Sequence, residues 1–273
     1  MKKIDMHVHG VNSSDSIIEY RELCQHSISK GYSVIAFTEH YDLIDAEILQ
    51  YGLFPIQHYF KELSDLRSEF PELEIIIGLE IGEPHQVKHF AQRLLSKFQP
   101  EYTIGALHVI KNGKNVSLRI DKPLSYKDIF LYYEENLEMV ENGWFDTLGH
   151  LGIYKRGMQP NHKIDETHVY YVIDEIFRTI IKKGICLEIN SSSYGTHFKN
   201  HVPEPEILKR YKELGGELIT IGSDSHFLDQ FDRFYNKTLD SLRALGFSSI
   251  YWKNKEGWNP ISIQDPLDPV RNA

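Results

Sequence analysis

Ile75-Ile76-Ile77-Gly78-Leu79-Glu80 is an uninterrupted apolar run closed by a carboxylate. A strand that is apolar at successive positions, rather than at alternate ones, suits burial on both faces, as in parallel sheets clad with helices. Working outward from this run, the same unit recurs. Short runs of Ile, Val, Leu, Phe and Thr fall at 4–7, 34–38, 102–108, 147–150, 186–190 and 218–222. Stretches with helical periodicity lie at roughly 17–30, 56–70, 84–98, 126–142, 166–183, 204–214 and 230–245. Lys30-Gly31 and Lys183-Gly184 carry the basic residue and glycine expected where helices stop. Pro84, Pro203 and Pro205 are read as helix starts, where a missing amide donor costs least.

Strand–helix alternation without a break implies parallel pairing. Seven units predict an α/β fold, a closed or nearly closed (β/α)7 barrel one unit short of the usual eight, formed as a single domain over 1–273. An open doubly wound sheet is the competing arrangement. No Gly/Ser linker, low-complexity segment or repeat divides the chain. Residues 159–165 and 191–201 are expected to be long loops over the site. The residues after Lys255 show no clear periodicity and are read as a surface extension.

The bulk numbers narrow the function. The chain has 30 basic and 39 acidic residues, a formal charge of −9, which argues against a nucleic-acid binder and against a basic membrane-surface protein. Cys24 and Cys186 are far apart, offer no CxxC zinc pair, and are read as reduced buried thiols. Lys2 and Lys3 are followed by Asp5, His7 and His9 where a signal peptide needs its apolar core, and no segment is apolar enough to span a bilayer. A cytoplasmic protein is expected. The sequence says nothing of its oligomeric state.

The polar residues carry the chemistry. His7 and His9 close the first strand, and His40 follows the second in Phe37-Thr38-Glu39-His40. Glu80 ends the third, His108 the fourth and His150 the fifth. Asp224 and His226 follow the seventh in Gly222-Ser223-Asp224-Ser225-His226, and Asp15 lies in the loop after the first. In a parallel barrel all strand carboxyl ends open on one face, so these groups converge there. Residues two apart point the same way, so His7 and His9 can share an ion. Imidazole and carboxylate without thiolate suit zinc, iron or manganese at a catalytic rather than a structural site.

The order His-x-His, Thr-Glu-His, Gly-Leu-Glu, a strand ending in His108, Gly-His and Ser-Asp-Ser-His resembles the polymerase and histidinol phosphatase (PHP) superfamily. The resemblance covers residues 4–226. The Gly-Leu-Glu, Gly-His-Leu, Leu-Glu-Ile-Asn and Gly-Ser-Asp-Ser-His segments look most like its histidinol-phosphate phosphatases. The resemblance implies a distorted seven-stranded barrel, two to three divalent ions, and hydrolysis of a small phosphate monoester in histidine biosynthesis. Carried over residue by residue, it implies one ion on His7, His9, Glu80 and Asp224. A second is implied on Glu80, His108 and His150, and a third on Asp15, His40 and His226. Arg156 matches a phosphate-binding arginine, and Asp15 or His226 is the candidate for protonating the leaving group through water. The family often carries another arginine after Leu-Glu-Ile-Asn. Here Leu187-Glu188-Ile189-Asn190 runs into Ser191-Ser192-Ser193-Tyr194, and Lys199 or His197 is the candidate substitute. Asp42, Asp45, Glu47 and Glu83 are acidic groups near the expected mouth that could meet a cationic substrate. Another phosphatase, acting on phosphotyrosine or a different small phosphate, is the alternative reading. A phosphodiesterase or nuclease and a non-catalytic metal module are further ones.

Overall fold

The computed structural model describes residues 2–43, 54–118, 124–158 and 165–264 of the 273-residue chain. Asp45, Glu47 and most of the expected loop 159–165 lie outside them. Strands β1 (Lys3–Val8), β2 (Tyr32–Asp42), β3 (Glu74–Gly82), β4 (Tyr102–Ala106), β5 (Thr147–Leu148), β6 (Cys186–Asn190) and β7 (Ile219–Gly222) form one sheet in sequence order. All neighbours in it are parallel. Helices α1 (Tyr20–Ser29), α2 (Ile56–Glu69), α3 (Lys88–Phe98), α4 (Tyr126–Asn142), α5 (Tyr170–Lys183), α6 (Pro205–Glu213) and α7 (Tyr235–Ala244) lie between and after them. Among the described residues no helix is long and apolar enough to cross a membrane.

The sheet is a nearly closed barrel. Its last seam forms only at the carboxyl end, where the His9 amide donates to Ser225 O at 3.0 Å and the Asp224 amide to His7 O at 2.8 Å. Deeper in the seam a side chain stands in for the ladder: Asp5 Oδ1 accepts from the amides of Ser223, at 2.9 Å, and His7, at 3.2 Å. Burial pushes the Asp5 carboxyl up to about 7. The apolar runs pack as anticipated: Ile4, Ile35, Ile75, Ile104, Leu148, Leu187 and Ile219 are fully buried in one core. Gly31 and Gly184 take the left-handed conformation at the ends of α1 and α5.

Several boundaries differ from the expectation. β2 runs on to Asp42, so His40 lies within it rather than after it, directly beside Glu80 of β3 in the parallel register. Pro84 does not open a helix; it sits in a turn, and α3 begins at Lys88. The residues after Lys255 are not a featureless extension. Gly257–Ser262 is strand β9, paired antiparallel with β8 (Ser249–Asn254). This hairpin lies against the barrel's amino end: Trp258 meets the ring of Tyr102 edge-on at 6.3 Å, and Lys253 pairs with Asp146 at 3.1 Å. Tyr102 opens β4 and Asp146 precedes β5, so the hairpin braces the face opposite the histidines.

Candidate metal centre

The strand ends and the loop after β1 bring together the nine residues that the sequence singled out as metal ligands. Glu80 is fully buried at the centre. One of its oxygens lies 2.7 Å from His150 Nε2 and 3.4 Å from His108 Nε2. The other lies 3.5 Å from His7 Nε2, 3.6 Å from His9 Nε2 and 2.6 Å from His40 Nδ1. Asp224 Oδ1 is 3.3 Å from His9 Nε2 and 3.7 Å from His7 Nε2. On the solvent side, Asp15 lies 3.3 Å from His226 Nε2 and 3.6 Å from His40 Nε2. Asp224 holds a left-handed backbone, φ 53°, which aspartate tolerates better than most residues and which the bond to His7 O fixes.

The outer partners decide which imidazole nitrogens face inward. His7 Nδ1 donates to Glu188 Oε1 at 2.6 Å, and His108 Nδ1 to Asp42 Oδ1 at 3.1 Å. Ser13 Oγ gives its proton to Glu39 Oε2 at 2.5 Å, so it accepts from His9 Nδ1 at 3.0 Å. His226 Nδ1 donates to Asp224 O at 3.0 Å. As neutral rings, His7, His9, His108 and His226 would therefore turn an Nε2 lone pair towards the cluster. The Nε2 atoms of His7 and His9 stand only 3.0 Å apart, and those of His40 and His226 3.1 Å apart, although a neutral His40 carries a proton on one of its two nitrogens. Glu80 Oε2 and His40 Nδ1 are buried and make no hydrogen bond despite their approach. Lone pairs set face to face in a dry pocket repel one another unless a cation lies among them. The donor set fits divalent ions on these grounds. His7, His9 and Asp224, His9, His40 and His226, and His40, Glu80 and His108 each place ligand atoms within 4.8 Å of one another.

The field agrees. Burial alone would push Glu80 and Asp224 up, but the surrounding imidazoles hold both well below the usual carboxylate range. Burial opposes charge on His7, yet Glu188, Glu80 and Asp224 together raise it well above the usual imidazole value. His9 is instead driven well down, first by burial and then by His40 and His226. A site that favours positive charge among neutral and anionic donors is one that favours a metal ion.

Glu188 and Glu39 carry roles not anticipated from the sequence. Glu188 orients His7 and also accepts the His150 amide at 2.6 Å. It fits because position 222 is glycine: a Cβ there would stand 2.1 Å from Glu188 Oε1 and 2.6 Å from His7 Cβ. The signal for Glu188 was a carboxylate inside an otherwise apolar strand.

Arg156 lies on a short 3-10 turn, Ile153–Gly157. The buried Lys155 ammonium, paired with Glu166 and Glu204, pins that turn. Arg156 Nε donates to Ser117 O at 2.8 Å and Nη1 to Asp224 Oδ2 at 3.2 Å. Two cavities meet at Arg156, Asp15 and Asp224. One, of about 410 Å³, extends under the loops after β6 and β7, and the other, of about 240 Å³, towards Asp42 and Glu83. The carboxylates of the smaller one are partly engaged. Asp42 holds His108, and Glu83 Oε1 accepts from the amides of His108 and Val109. Burial pushes Glu83 up to about 7. His197 and Lys199 are exposed and line neither cavity.

A parallel barrel with an imidazole–carboxylate cluster at the carboxyl ends of its strands is the class that fold and site define. The chain belongs to the PHP domain family, whose model matches residues 5–192. It is similar to a probable histidinol-phosphatase of Clostridium acetobutylicum, 27% identical over 92% of this chain and 97% of that one. It is also similar to the histidinol-phosphatase of Lactococcus lactis subsp. lactis, 27% identical over 92% of this chain and 94% of the other. A crystal structure of a Lactococcus lactis histidinol phosphate phosphatase, complexed with zinc, L-histidinol and phosphate, superposes with a TM-score of 0.80 at 25% identity. It covers 94% of this chain and 99% of that one.

Proposed function

We propose that this chain hydrolyses phosphate monoesters with the help of divalent metal ions, and that its substrate is histidinol phosphate. The observation that carries the first part is the set of inward-facing Nε2 atoms around Glu80 and Asp224, with Arg156 fastened beside them. The near full-length likeness to histidinol-phosphatases supports the second.

His7, His9, Glu80 and Asp224 would hold one ion, Glu80, His108 and His150 another, and Asp15, His40 and His226 a third. Ions bound there supply Lewis acidity towards a phosphoryl oxygen and lower the pKa of water towards neutrality. The chain's own residues position the ester. Arg156 is fixed through Nε and one Nη, which leaves the other Nη to donate to phosphoryl oxygens without reorganisation. Asp15 stands half-exposed at the mouth. Burial would raise its carboxyl, but the imidazoles of His226 and His40 beside it win and hold it low. It is therefore ionised and can orient a water beside the leaving oxygen; the alkoxide takes a proton from that water, and the hydroxide left behind takes one from the solvent to which Asp15 is open. Asp42, whose carboxyl is held low chiefly by His108 against the effect of burial, gives the smaller cavity an anionic wall. An ammonium or imidazolium on the substrate suits that wall.

The test is phosphate release from histidinol phosphate by zinc- or manganese-loaded protein, repeated after chelation. Release that stops on chelation and returns with metal is expected. Release unaffected by thorough chelation would refute the metal-assisted reaction.

A further inference from the structure

We propose that Arg233 is the second cation that grips the substrate's phosphoryl group, in the larger cavity that it shares with Arg156. The proposal rests on the phosphatase reading above.

Arg156 is already half spent. One of its edges is tied to Asp224 and its Nε to a carbonyl, so part of its charge is offset before any substrate arrives. The mouth is otherwise acidic, with Asp15, Asp42, Asp224 and Glu83 around it, and the chain carries a formal charge of −9. Ions at the cluster would attract the inner face of a phosphate dianion, and a further cation on the cavity wall would offset the acidic rim around its outer oxygens. The loop after β6 supplies none to the cavity: Ser191, Ser192 and Thr196 line that wall, while Lys199 is exposed beyond it.

Arg233 lines the same cavity from the segment that follows His226. Among the described residues no carboxylate pairs with its guanidinium, unlike those of Arg21, Arg67, Arg156, Arg178, Arg210 and Arg243. Its guanidinium lies 5.1 Å from the ring centroid of Phe234, which holds the stem without using the donors. The segment is registered to the metal cluster. Gln230 Oε1 accepts the His226 amide at 3.0 Å, and the Arg233 amide donates to Gln230 O at 3.3 Å. A planar donor carried on a segment locked to His226 is set to meet a phosphoryl group held at the cluster.

The experiment uses zinc-loaded wild type, Arg233→Gln and Arg233→Lys. It measures the binding of inorganic phosphate by titration calorimetry and its inhibition constant, KM and kcat for histidinol phosphate and for phenyl phosphate, and zinc content. In Arg233→Gln the inhibition constant for phosphate should rise on the order of tenfold. KM for both esters should rise by a similar factor, and zinc content should not change. Arg233→Lys should recover part of the loss. An inhibition constant for phosphate within twofold of wild type would overturn the proposal. So would a KM rise confined to histidinol phosphate, which would put Arg233 on the leaving group. If wild type hydrolyses neither ester, the phosphatase reading fails, and phosphate binding alone still decides the role of Arg233.

Discussion

Glu80 is the residue on which the centre turns, because its two oxygens face different histidines. Glu80→Ala should remove at least one ion by elemental analysis. It should cost more activity than the roughly 10–100-fold expected for losing an outer partner. Glu188 is such a partner. Glu188→Gln keeps the shape but weakens the hold on His7 Nδ1, so metal affinity should fall roughly 10–100-fold in a competition titration, with the circular dichroism unchanged. Unaltered affinity would make Glu188 a structural carboxylate only. Arg156→Lys should lose roughly tenfold or more in kcat/KM, because an ammonium cannot donate to Ser117 O, Asp224 and phosphate in one plane. The inward-facing histidines and carboxylates were legible because strand ends of a parallel barrel share one face. Glu39, Ser13 and Glu188 were not, because nothing in the order of residues says which Nδ1 a carboxylate or hydroxyl will reach.

Among the elements, the strands were easier to read than their ends. β2 outlasts its apolar run because Glu39, His40 and Asp42 keep pairing with β3, and their polar side chains find partners inside the barrel mouth. β9 escaped notice because its sequence, Gly-Trp-Asn-Pro-Ile-Ser, lacks a clean alternation; its order comes from the turn at Asn254 and from Trp258 packing on Tyr102. The loop after β6 is held by His201, which bonds Pro203 O at 2.5 Å and Ser241 Oγ at 2.8 Å. Burial drives His201 down to about 4. Between that value and the ordinary 6.5 the unfolded chain binds the extra proton, so stability falls as pH drops through this window. His201→Gln retains a donor and an acceptor but cannot titrate. The stability advantage of wild type over this variant should therefore shrink by about 2 kcal/mol between pH 7 and pH 5 in urea unfolding. An unchanged difference would mean that His201 is not held neutral.

The whole molecule is a barrel that braces one end and works at the other. The hairpin covers the amino face, and buried carboxylates and imidazoles crowd the carboxyl face. Crowding of that kind costs stability unless cations offset it. Chelation should lower the Tm of the intact protein, and zinc at about a hundred times its dissociation constant should restore about 2.7 kcal/mol. A Tm indifferent to chelator would contradict the metal centre. The barrel class was legible from the alternation of apolar runs and amphipathic stretches. The sharing of one cavity by Arg156 and Arg233 was not, since the two lie on segments far apart in the chain.

The central claim concerns a phosphomonoesterase matched to a substrate that carries positive charge beside its phosphate. The anionic wall at Asp42 should favour such a monoester over one that is purely anionic at its far end. The ratio of kcat/KM for histidinol phosphate to that for phosphotyrosine, measured on metal-loaded protein under one set of conditions, tests this most directly. A ratio well above one is predicted. A ratio near or below one would contradict it.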